Sequence, residues 1–126
     1  MPKILVTGGL GYIGSHTVVE LHNQGYEVII IDDLSNTSLN VLSNVCKITN
    51  SSLNFVELDL KNSVKTKEFI SNNNDIDGVI HFAASKAVGE SVEDPLKYYN
   101  NNLSSMINLL KELIKLNRQI NFIFSS

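Results

Sequence analysis

The chain has 126 residues, with ten Lys and Arg, thirteen Asp and Glu, and a formal net charge of −3. This length makes one packed domain, and the scattered basic residues argue against nucleic acid or an anionic membrane as a partner. No apolar stretch is long enough for a membrane span or a signal peptide, so we expect a cytoplasmic protein. The single cysteine, Cys46, excludes an internal disulfide and a cysteine-rich zinc site, and we expect no metal.

Five short apolar segments alternate with longer, helix-like stretches. The predicted strands are Ile4 to Thr7, Glu27 to Asp32, Leu53 to Leu58, Gly78 to Phe82 and Ile120 to Phe124. Parallel strands need crossover connections, and they are continuously apolar because helices cover both faces of their sheet. The alternation therefore predicts an α/β fold, a doubly wound parallel sheet of the Rossmann type that stops after its fifth strand.

A glycine-rich turn follows the first strand, where Thr7 to Ser15 read Thr-Gly-Gly-Leu-Gly-Tyr-Ile-Gly-Ser. Gly8, Gly11 and Gly14 recur every three residues, a spacing that permits a tight turn, the approach of a pyrophosphate and close packing of the next helix. A helix that begins near Tyr12 would aim free N–H groups at the phosphates. The triplet alone is also typical of an ordinary strand-to-helix loop, so its context must decide.

Two helices have recognisable boundaries. The first is predicted from Tyr12 to Gln24 and ends at Gly25, which suits the left-handed cap position. Asp94 followed by Pro95 is a favourable start for a long helix between the fourth and fifth strands. Apolar residues recur every three or four positions in that helix and predict one stripe that faces the sheet: Leu96, Tyr99, Leu103, Met106, Ile107, Leu110, Leu113 and Ile114.

Asp32 ends the second strand, roughly twenty residues beyond the glycine turn, where dinucleotide-binding folds carry an acidic residue. Its carboxylate can accept hydrogen bonds from both hydroxyls of an adenine ribose. A 2′-phosphate would be repelled by Asp32 and Asp33, and no arginine lies nearby in the sequence, so NAD is favoured over NADP. The alternative is a solvated turn before Ser35 and Asn36.

The ends of the third and fourth strands carry further candidates. Asp59 lies where open parallel sheets bind ligands, and its carboxylate either meets an adenine amine or forms a cap or turn; local sequence does not separate the two. Small residues at Ala83 and Ala84 would let a ribose or nicotinamide approach the backbone. We expect His81 to pack or to form a hydrogen bond rather than to catalyse.

Six longer motifs follow one another along the chain. They are Thr-Gly-Gly-Leu-Gly-Tyr-Ile-Gly-Ser-His (Thr7 to His16), Asp-Asp-Leu-Ser-Asn (Asp32 to Asn36), His-Phe-Ala-Ala (His81 to Ala84), Lys-Ala-Val-Gly-Glu-Ser (Lys86 to Ser91), Pro-Leu-Lys-Tyr-Tyr-Asn-Asn-Asn (Pro95 to Asn102) and Phe-Ile-Phe-Ser-Ser (Phe122 to Ser126). In this order they resemble the epimerase branch of the extended short-chain dehydrogenase/reductase family. The glycine turn is common to that family, whereas the motif that begins at Lys86 is much more specific.

The resemblance implies NAD as the cofactor. Backbone groups of Tyr12 and Ile13 would contact its pyrophosphate, the segment Asp32 to Thr37 would hold the adenosine ribose and the neighbouring phosphate, and the Lys86 ammonium would pair with its charge or polar groups. Together with the three glycines of the turn, the implied contacts are Tyr12, Ile13, Asp32, Asp33, Leu34, Ser35, Asn36, Thr37, Asp59, Leu60, Phe82, Ala83, Ala84, Ser85, Lys86 and Asn101.

Two residues depart from the pattern of the family. Asp33 stands where the epimerases often have asparagine, which adds negative charge near the ribose and strengthens the case against NADP. Ala84 stands where glycine is common, which adds a methyl group close to the cofactor.

The implied activity is an isomerisation in galactose metabolism. NAD oxidises C4 of a UDP-sugar, the 4-keto intermediate rotates, and the hydride returns to the opposite face, so that UDP-glucose and UDP-galactose interconvert. In the family a tyrosine, with a lysine four residues on and a nearby serine, handles the C4 proton. Tyr98 and Tyr99 do not fit, because positions 102 and 103 are Asn and Leu. We therefore assign no catalytic residue, and expect residues 1–126 to be an incomplete NAD-binding domain, inactive alone and without its substrate domain.

Two other functions stay open. A different NAD-dependent sugar-nucleotide enzyme, such as a dehydratase, would keep the same cofactor half, although the motif from Lys86 to Ser91 argues against it. A non-catalytic dinucleotide-binding module would need no tyrosine and lysine. The resemblance implies a homodimer for the full-length enzyme, and the apolar strand from Ile120 to Phe124 predicts that this fragment self-associates.

Overall fold

The computed structural model describes residues 2–35, 37–82 and 95–125, in which strands and helices alternate. The elements are β1 (Lys3–Thr7), α1 (Tyr12–Asn23), β2 (Glu27–Asp32), α2 (Leu39–Thr49), β3 (Asn54–Glu57), α3 (Ser63–Asn72), β4 (Gly78–Phe82), α4 (Pro95–Lys115) and β5 (Asn121–Ser125). All strand pairs are parallel, and the sheet order is β3-β2-β1-β4-β5. The predicted doubly wound α/β fold is confirmed, with each strand end within one residue of its predicted place.

Two hydrophobic clusters cover the two faces of the sheet. Alternate residues of a strand point to opposite faces, so Leu5 and Ile29 join one cluster while Val6 and Ile30 join the other. The first cluster packs beneath α3 and α4, and the second beneath α1 and α2. The helices therefore change face between β1 and β4, which are neighbours in the sheet.

The boundaries of α1 follow its glycines. The helix starts after Gly11, as its N-cap, and ends at Asn23, one residue earlier than predicted, with Gln24 as its C-cap. Gly25 follows with φ +91°, the left-handed conformation expected of a residue that closes a helix.

The predicted sheet-facing stripe of α4 is wrong in part. Among the side chains of α4 that the structure describes, which do not include that of Tyr99, the buried ones are Ser105, Leu109 and Leu113, spaced four apart. Four residues of the predicted stripe are instead 50–76% exposed: Leu96, Leu103, Ile107 and Ile114. They lie on nearly the opposite side of the helix, at 100° per residue. The helix has apolar residues on two sides, and the spacing of three and four residues in the sequence did not separate the two sets.

The amino-terminal edge of the sheet is closed by charged side chains. The Asp77 carboxylate accepts hydrogen bonds from the Lys3 backbone N–H and from Arg118 Nη2, each 2.9 Å long. Arg118 Nη1 donates to the carbonyls of Ile76 and Asn74, and Lys3 Nζ lies 2.9 Å from Asp75. These contacts lower the pKa of both aspartates, Asp75 chiefly through the Lys3 side chain and Asp77 chiefly through the Lys3 backbone N–H. The charged groups at this edge therefore pair with one another and with the local backbone.

Across the described residues, no helix is both long and apolar enough to cross a lipid bilayer.

Candidate functional site

The carboxyl ends of β1 and β4 lie side by side at the point where the helices change face, and a ligand crevice is expected there. The helix that follows β1, α1, packs on one face of the sheet, whereas α4, the described helix after β4, packs on the other. Ligands of open α/β sheets bind at such a change of face, outside the carboxyl ends of the strands. Phe82, at the end of β4, lies against the turn: a Cβ on Gly8 would be 3.2 Å from the Phe82 Cβ.

The glycine turn lies at the carboxyl end of β1, and backbone hydrogen bonds between its glycines shape it. Gly8 adopts φ +67°, and its carbonyl accepts from the Gly11 N–H at 3.1 Å. A Cβ on Gly14 would lie 2.1 Å from the Gly8 oxygen, so α1 packs directly on the turn only because residue 14 has no side chain. The three glycines have the local roles that their spacing predicts, in turn formation and helix packing.

Gly9 is a fourth structural glycine that the spacing argument missed. A Cβ there would lie 2.6 Å from Ile30 Cγ2, because the turn rests on β2. The N–H groups of Gly8 and Gly9 both donate to the Ile31 carbonyl, at 2.8 and 3.3 Å. The doubled glycine in the sequence was the available signal.

Within the described part of the chain, the backbone N–H groups of the first turn of α1 have no side-chain cap. The first N–H groups of any α-helix lack partners within the helix, and no side chain caps α1 at Gly11. Tyr12 and Ile13, the first two residues of the helix, are 82% and 61% exposed. Together with the helix dipole, this makes the site suited to an anion such as a pyrophosphate.

Asp32 lies beside the turn as a largely buried residue, at 9% exposure. One oxygen accepts from the Leu10 N–H at 3.1 Å and the other from the Leu34 N–H at 2.9 Å. A carboxylate has about four acceptor positions, so two further donors can still be accommodated. Burial raises the pKa of Asp32, and the two backbone N–H groups oppose that shift. Hydroxyl donors from a ribose would further favour the charged form.

The loop after β2 is shaped by local hydrogen bonds. Leu34 adopts φ +62°, and Asp33 accepts from the Ser35 N–H at 3.0 Å. Thr37 donates its hydroxyl to the Leu10 carbonyl at 3.0 Å, which ties the loop back to the glycine turn. Asn36 lies outside the described residues. Asp32 and Thr37 thus both bond to Leu10 of the turn, and the predicted contacts of this segment with a cofactor stay predictions.

Asp59 forms a turn ahead of α3. Its carboxylate accepts from the Lys61 N–H at 2.9 Å, and Asn62, not Asp59, is the N-cap. Leu60 is buried in the core, and its carbonyl accepts from Asn108 Nδ2 of α4 at 2.8 Å. The turn alternative for Asp59 is thus present, and the predicted adenine contact stays a prediction. Sequence reasoning missed Asn108, whose partner lies 48 residues away.

His81 packs and forms a hydrogen bond, as expected. Its Nδ1 lies 2.6 Å from the Thr7 hydroxyl, which joins the carboxyl ends of β1 and β4 beneath the crevice. The rings of Phe122 and Phe124 flank it, with centroids 6.1 and 5.7 Å away. Burial lowers the pKa of His81 to about 4, so the imidazole is neutral near pH 7.

Several predicted positions fall outside the described residues: Ala83, Ala84, Ser85, Lys86 and the helix cap Asp94. Asn101 lies on α4, and nothing is described of its side chain. Among the residues that are described, no group of three or more His, Cys, Asp and Glu side chains is placed to hold a metal ion.

Comparison with known proteins gives consistent matches. The sequence matches the NAD dependent epimerase/dehydratase family over residues 4–126. It is 52% identical over 112 residues to UDP-glucose 4-epimerase of Bacillus subtilis, which covers 89% of this chain and 33% of that protein. The fold matches UDP-glucose 4-epimerase from Bifidobacterium longum, in complex with NAD+ and UDP, with a TM-score of 0.89 and 45% identity over 98% of this chain and 36% of the other.

A second structure gives the same result. UDP-glucose-4-epimerase from Stenotrophomonas maltophila, with bound NAD and formylated UDP-arabinopyranose, has a TM-score of 0.89 and 40% identity over 100% of this chain and 37% of that one. The chain thus spans about a third of the length of these relatives. The family match reaches all five strands of the sheet, and it confirms the resemblance seen in the motifs. The chain belongs to the NAD dependent epimerase/dehydratase family.

Proposed function

We propose that this chain is the NAD-binding part of a UDP-glucose 4-epimerase. The observation that carries the proposal is the juxtaposition of open N–H groups at the start of α1 with the buried Asp32 carboxylate, at the point where the helices change face. An anion site and a hydroxyl acceptor side by side are what the pyrophosphate and ribose of a dinucleotide require. The relatives crystallised with NAD support the same cofactor.

The distribution of charge supports NAD rather than NADP. Recognition of a 2′-phosphate ordinarily uses an arginine near the end of the second strand. The only arginine of the chain is Arg118, which is hydrogen-bonded at the amino-terminal edge, whereas Asp32 and Asp33 lie beside the glycine turn. A phosphate at the ribose would meet two carboxylates and no arginine.

Titration calorimetry with NAD and NADP tests the cofactor site. We expect the wild-type chain to prefer NAD, and Asp32→Ala to weaken NAD binding by about tenfold or more, because two hydroxyl bonds to a charged acceptor are lost. The same change should narrow the preference for NAD over NADP, since it also removes repulsion. Asp75→Ala, a matched change at the opposite edge, should alter neither affinity.

Two outcomes would contradict this assignment. Equal NAD affinity in wild type and Asp32→Ala would remove Asp32 from the ribose site. A folded wild-type chain, verified by circular dichroism, that binds no NAD would overturn the proposed cofactor function itself.

We propose that epimerisation needs residues beyond these 126. None of the four tyrosines here is followed by a lysine four positions later, and the chain spans about a third of its relatives' length. An assay of UDP-galactose formation should therefore detect no turnover with this chain alone. Activity in a preparation of verified intact mass would refute this expectation.

We also propose that the chain self-associates. The exposed side of α4 aligns Leu103 and Ile107 with Leu96 and Ile114, and β5 exposes Ile123 at the edge of the sheet. Apolar surface of this extent and an open strand edge favour association. Light scattering should show species larger than a monomer, and Leu103→Lys with Ile107→Lys should reduce them. A wild-type chain that stays monomeric at high concentration would contradict the proposal.

A further inference from the structure

β5 lies at one edge of the sheet and has little burial of its own. In the described sheet it pairs with β4 alone, and its residues Ile123 and Phe124 are 58% and 49% exposed. The rings of Phe122 and Phe124 lie beside His81 of β4. Segments with little buried apolar surface open at a lower free energy than the core of a protein. Contacts at the ends of β5 therefore matter for keeping this strand on the sheet.

Asp77, the residue before β4, joins the amino ends of three strands. Its N–H donates to the Lys3 carbonyl at 2.8 Å and its carboxylate accepts from the Lys3 N–H at 2.9 Å, so both bonds fix it to β1. Its carbonyl accepts from the N–H of Asn121, the first residue of β5, at 3.3 Å. That distance exceeds the usual length of about 3 Å, so this backbone bond holds the start of β5 only weakly.

The side chain of Arg118 adds further bonds between the same two segments. Its Nη2 donates to the Asp77 carboxylate at 2.9 Å, and its Nη1 donates to the carbonyls of Ile76 and Asn74 at 2.6 and 3.0 Å. Arg118 lies in the connection from α4 to β5, directly after Asn117, whose φ of +51° turns the chain. A guanidinium carries its donors in a rigid, planar fork, so one side chain can bind two carbonyls and a carboxylate together.

We propose that Arg118 is a latch for β5: its guanidinium fastens the α4–β5 connection to the α3–β4 loop, and β5 opens as a separate unit when that contact is lost. With the latch closed, the aromatic rings of β5 stay beside His81. Opening frees the outer edge of β4, while β1, β2 and β3 keep their own pairings. The inference concerns the folded chain itself and does not depend on a bound nucleotide.

Amide hydrogen exchange measures such opening directly. Bonds from a charged donor are stronger than neutral ones, but the side chains of Arg118 and Asp77 are 36% and 44% exposed, and water weakens their attraction. Loss of the latch should therefore speed exchange of the β5 amides by about tenfold. Amides of β1 and β2 that exchange only through global unfolding should speed by the same factor, because the latch is also open in the unfolded chain. A separate opening of β5 must then be detected by a change outside the latch.

Native-state hydrogen exchange of wild type and four variants tests the proposal. Arg118→Met removes the donors, and Arg118→Lys keeps the charge but not the fork. Lys115→Met is the matched control, because it removes a nearby cation whose partner, Glu112, lies within α4. Ile30→Val removes one methylene from the cluster beneath α1 and α2, a contact that stays in place when β5 alone opens.

We expect β5 to be less protected than β1 and β2 in wild type, and about tenfold less protected again in Arg118→Met, with Arg118→Lys in between and Lys115→Met like wild type. Ile30→Val should lower protection of β1 and β2 about fivefold and leave that of β5 unchanged. Equal protection of β5 and β2 in wild type, or a loss in β5 caused by Ile30→Val, overturns the separate opening. Wild-type protection of β5 in Arg118→Met, or an equal loss in Lys115→Met, overturns the latch. Should Arg118→Met fail to fold, Arg118→Lys decides, and unchanged protection of β5 in that variant overturns the proposal.

Discussion

The two edges of the sheet are finished in different ways. At the amino-terminal edge, Lys3, Asp75, Asp77 and Arg118 bind one another and the local backbone, in contacts at the protein surface. At the carboxyl edge, the turn is built from glycines, and the acidic group beside it, Asp32, is buried. At the amino-terminal edge, charged side chains pair with one another and with the local backbone. At the carboxyl edge, the Asp32 side chain holds the backbone of the glycine turn, and no side chain caps the N–H groups at the start of α1. That difference distinguishes a structural edge from the proposed binding edge within one sheet.

The test with the largest expected effect replaces a glycine by alanine near each end of α1. Gly14→Ala puts a methyl group 2.1 Å from the Gly8 oxygen, so turn or helix must shift; we expect a loss of about 3 kcal/mol of unfolding free energy and of measurable NAD binding. Gly25→Ala meets no atom within 4 Å and carries only the cost of φ +91°, about 1–2 kcal/mol.

Urea unfolding and NAD titration of both variants measure the difference. NAD affinity should be unchanged in Gly25→Ala. If both variants kept wild-type affinity, the close packing of α1 on the turn would have no part in binding, and the comparison of edges would lose its main support.

The second test is the pH dependence of stability. His81 has a pKa lowered to about 4 in the folded chain, against 6.5 for an ordinary histidine. The unfolded chain takes up this proton first, so stability is full above pH 6.5 and falls as the pH drops toward 4. The expected loss is about 2 kcal/mol between pH 7 and pH 5. The lowered pKa values of Asp75 and Asp77 act in the same direction only at lower pH, below 3.8.

A double substitution isolates that contribution. Thr7→Val with His81→Phe replaces both partners by apolar groups, which leaves no buried hydroxyl without its imidazole. Urea unfolding at several pH values should show a flatter profile in the double variant than in wild type. Parallel profiles would show that His81 does not cause the acid sensitivity.

The smallest expected effect is at the amino-terminal edge. Asp75 pairs with Lys3 across solvent, with its side chain 65% exposed, and such pairs contribute little because water and salt screen them. Asp75→Ala should leave the urea midpoint close to that of wild type, at low and at high salt. A marked, salt-dependent fall would show that this edge depends on its surface charges more than the comparison assumes.

The sequence predicts the sheet well because the sheet depends on local patterns. Continuous β-branched runs placed every strand end within one residue, and the glycine spacing predicted a turn that the structure contains. The failures concern features without a local signal. The stripe of α4 was misplaced because Ser105 is buried while apolar residues such as Ile107 are exposed.

Hydrogen bonds between residues far apart in the sequence also could not be predicted from it. The contact of Thr7 with His81 depends on the register between β1 and β4, and the bond from Thr37 to Leu10 joins residues 27 apart. Neither partner has an unusual neighbourhood in the sequence. Such contacts follow from the packed structure rather than from the order of residues.

The change of helix face between β1 and β4 has a thermodynamic consequence. A molecule bound outside the carboxyl ends of β1 and β4 would span both halves of the sheet, and it would bind only when both halves are folded. Mass action then adds its binding free energy to that of folding, about 2.7 kcal/mol at a concentration one hundred times the dissociation constant. With the proposed cofactor, the resistance of this chain to heat would rise and fall with the supply of nucleotide around it.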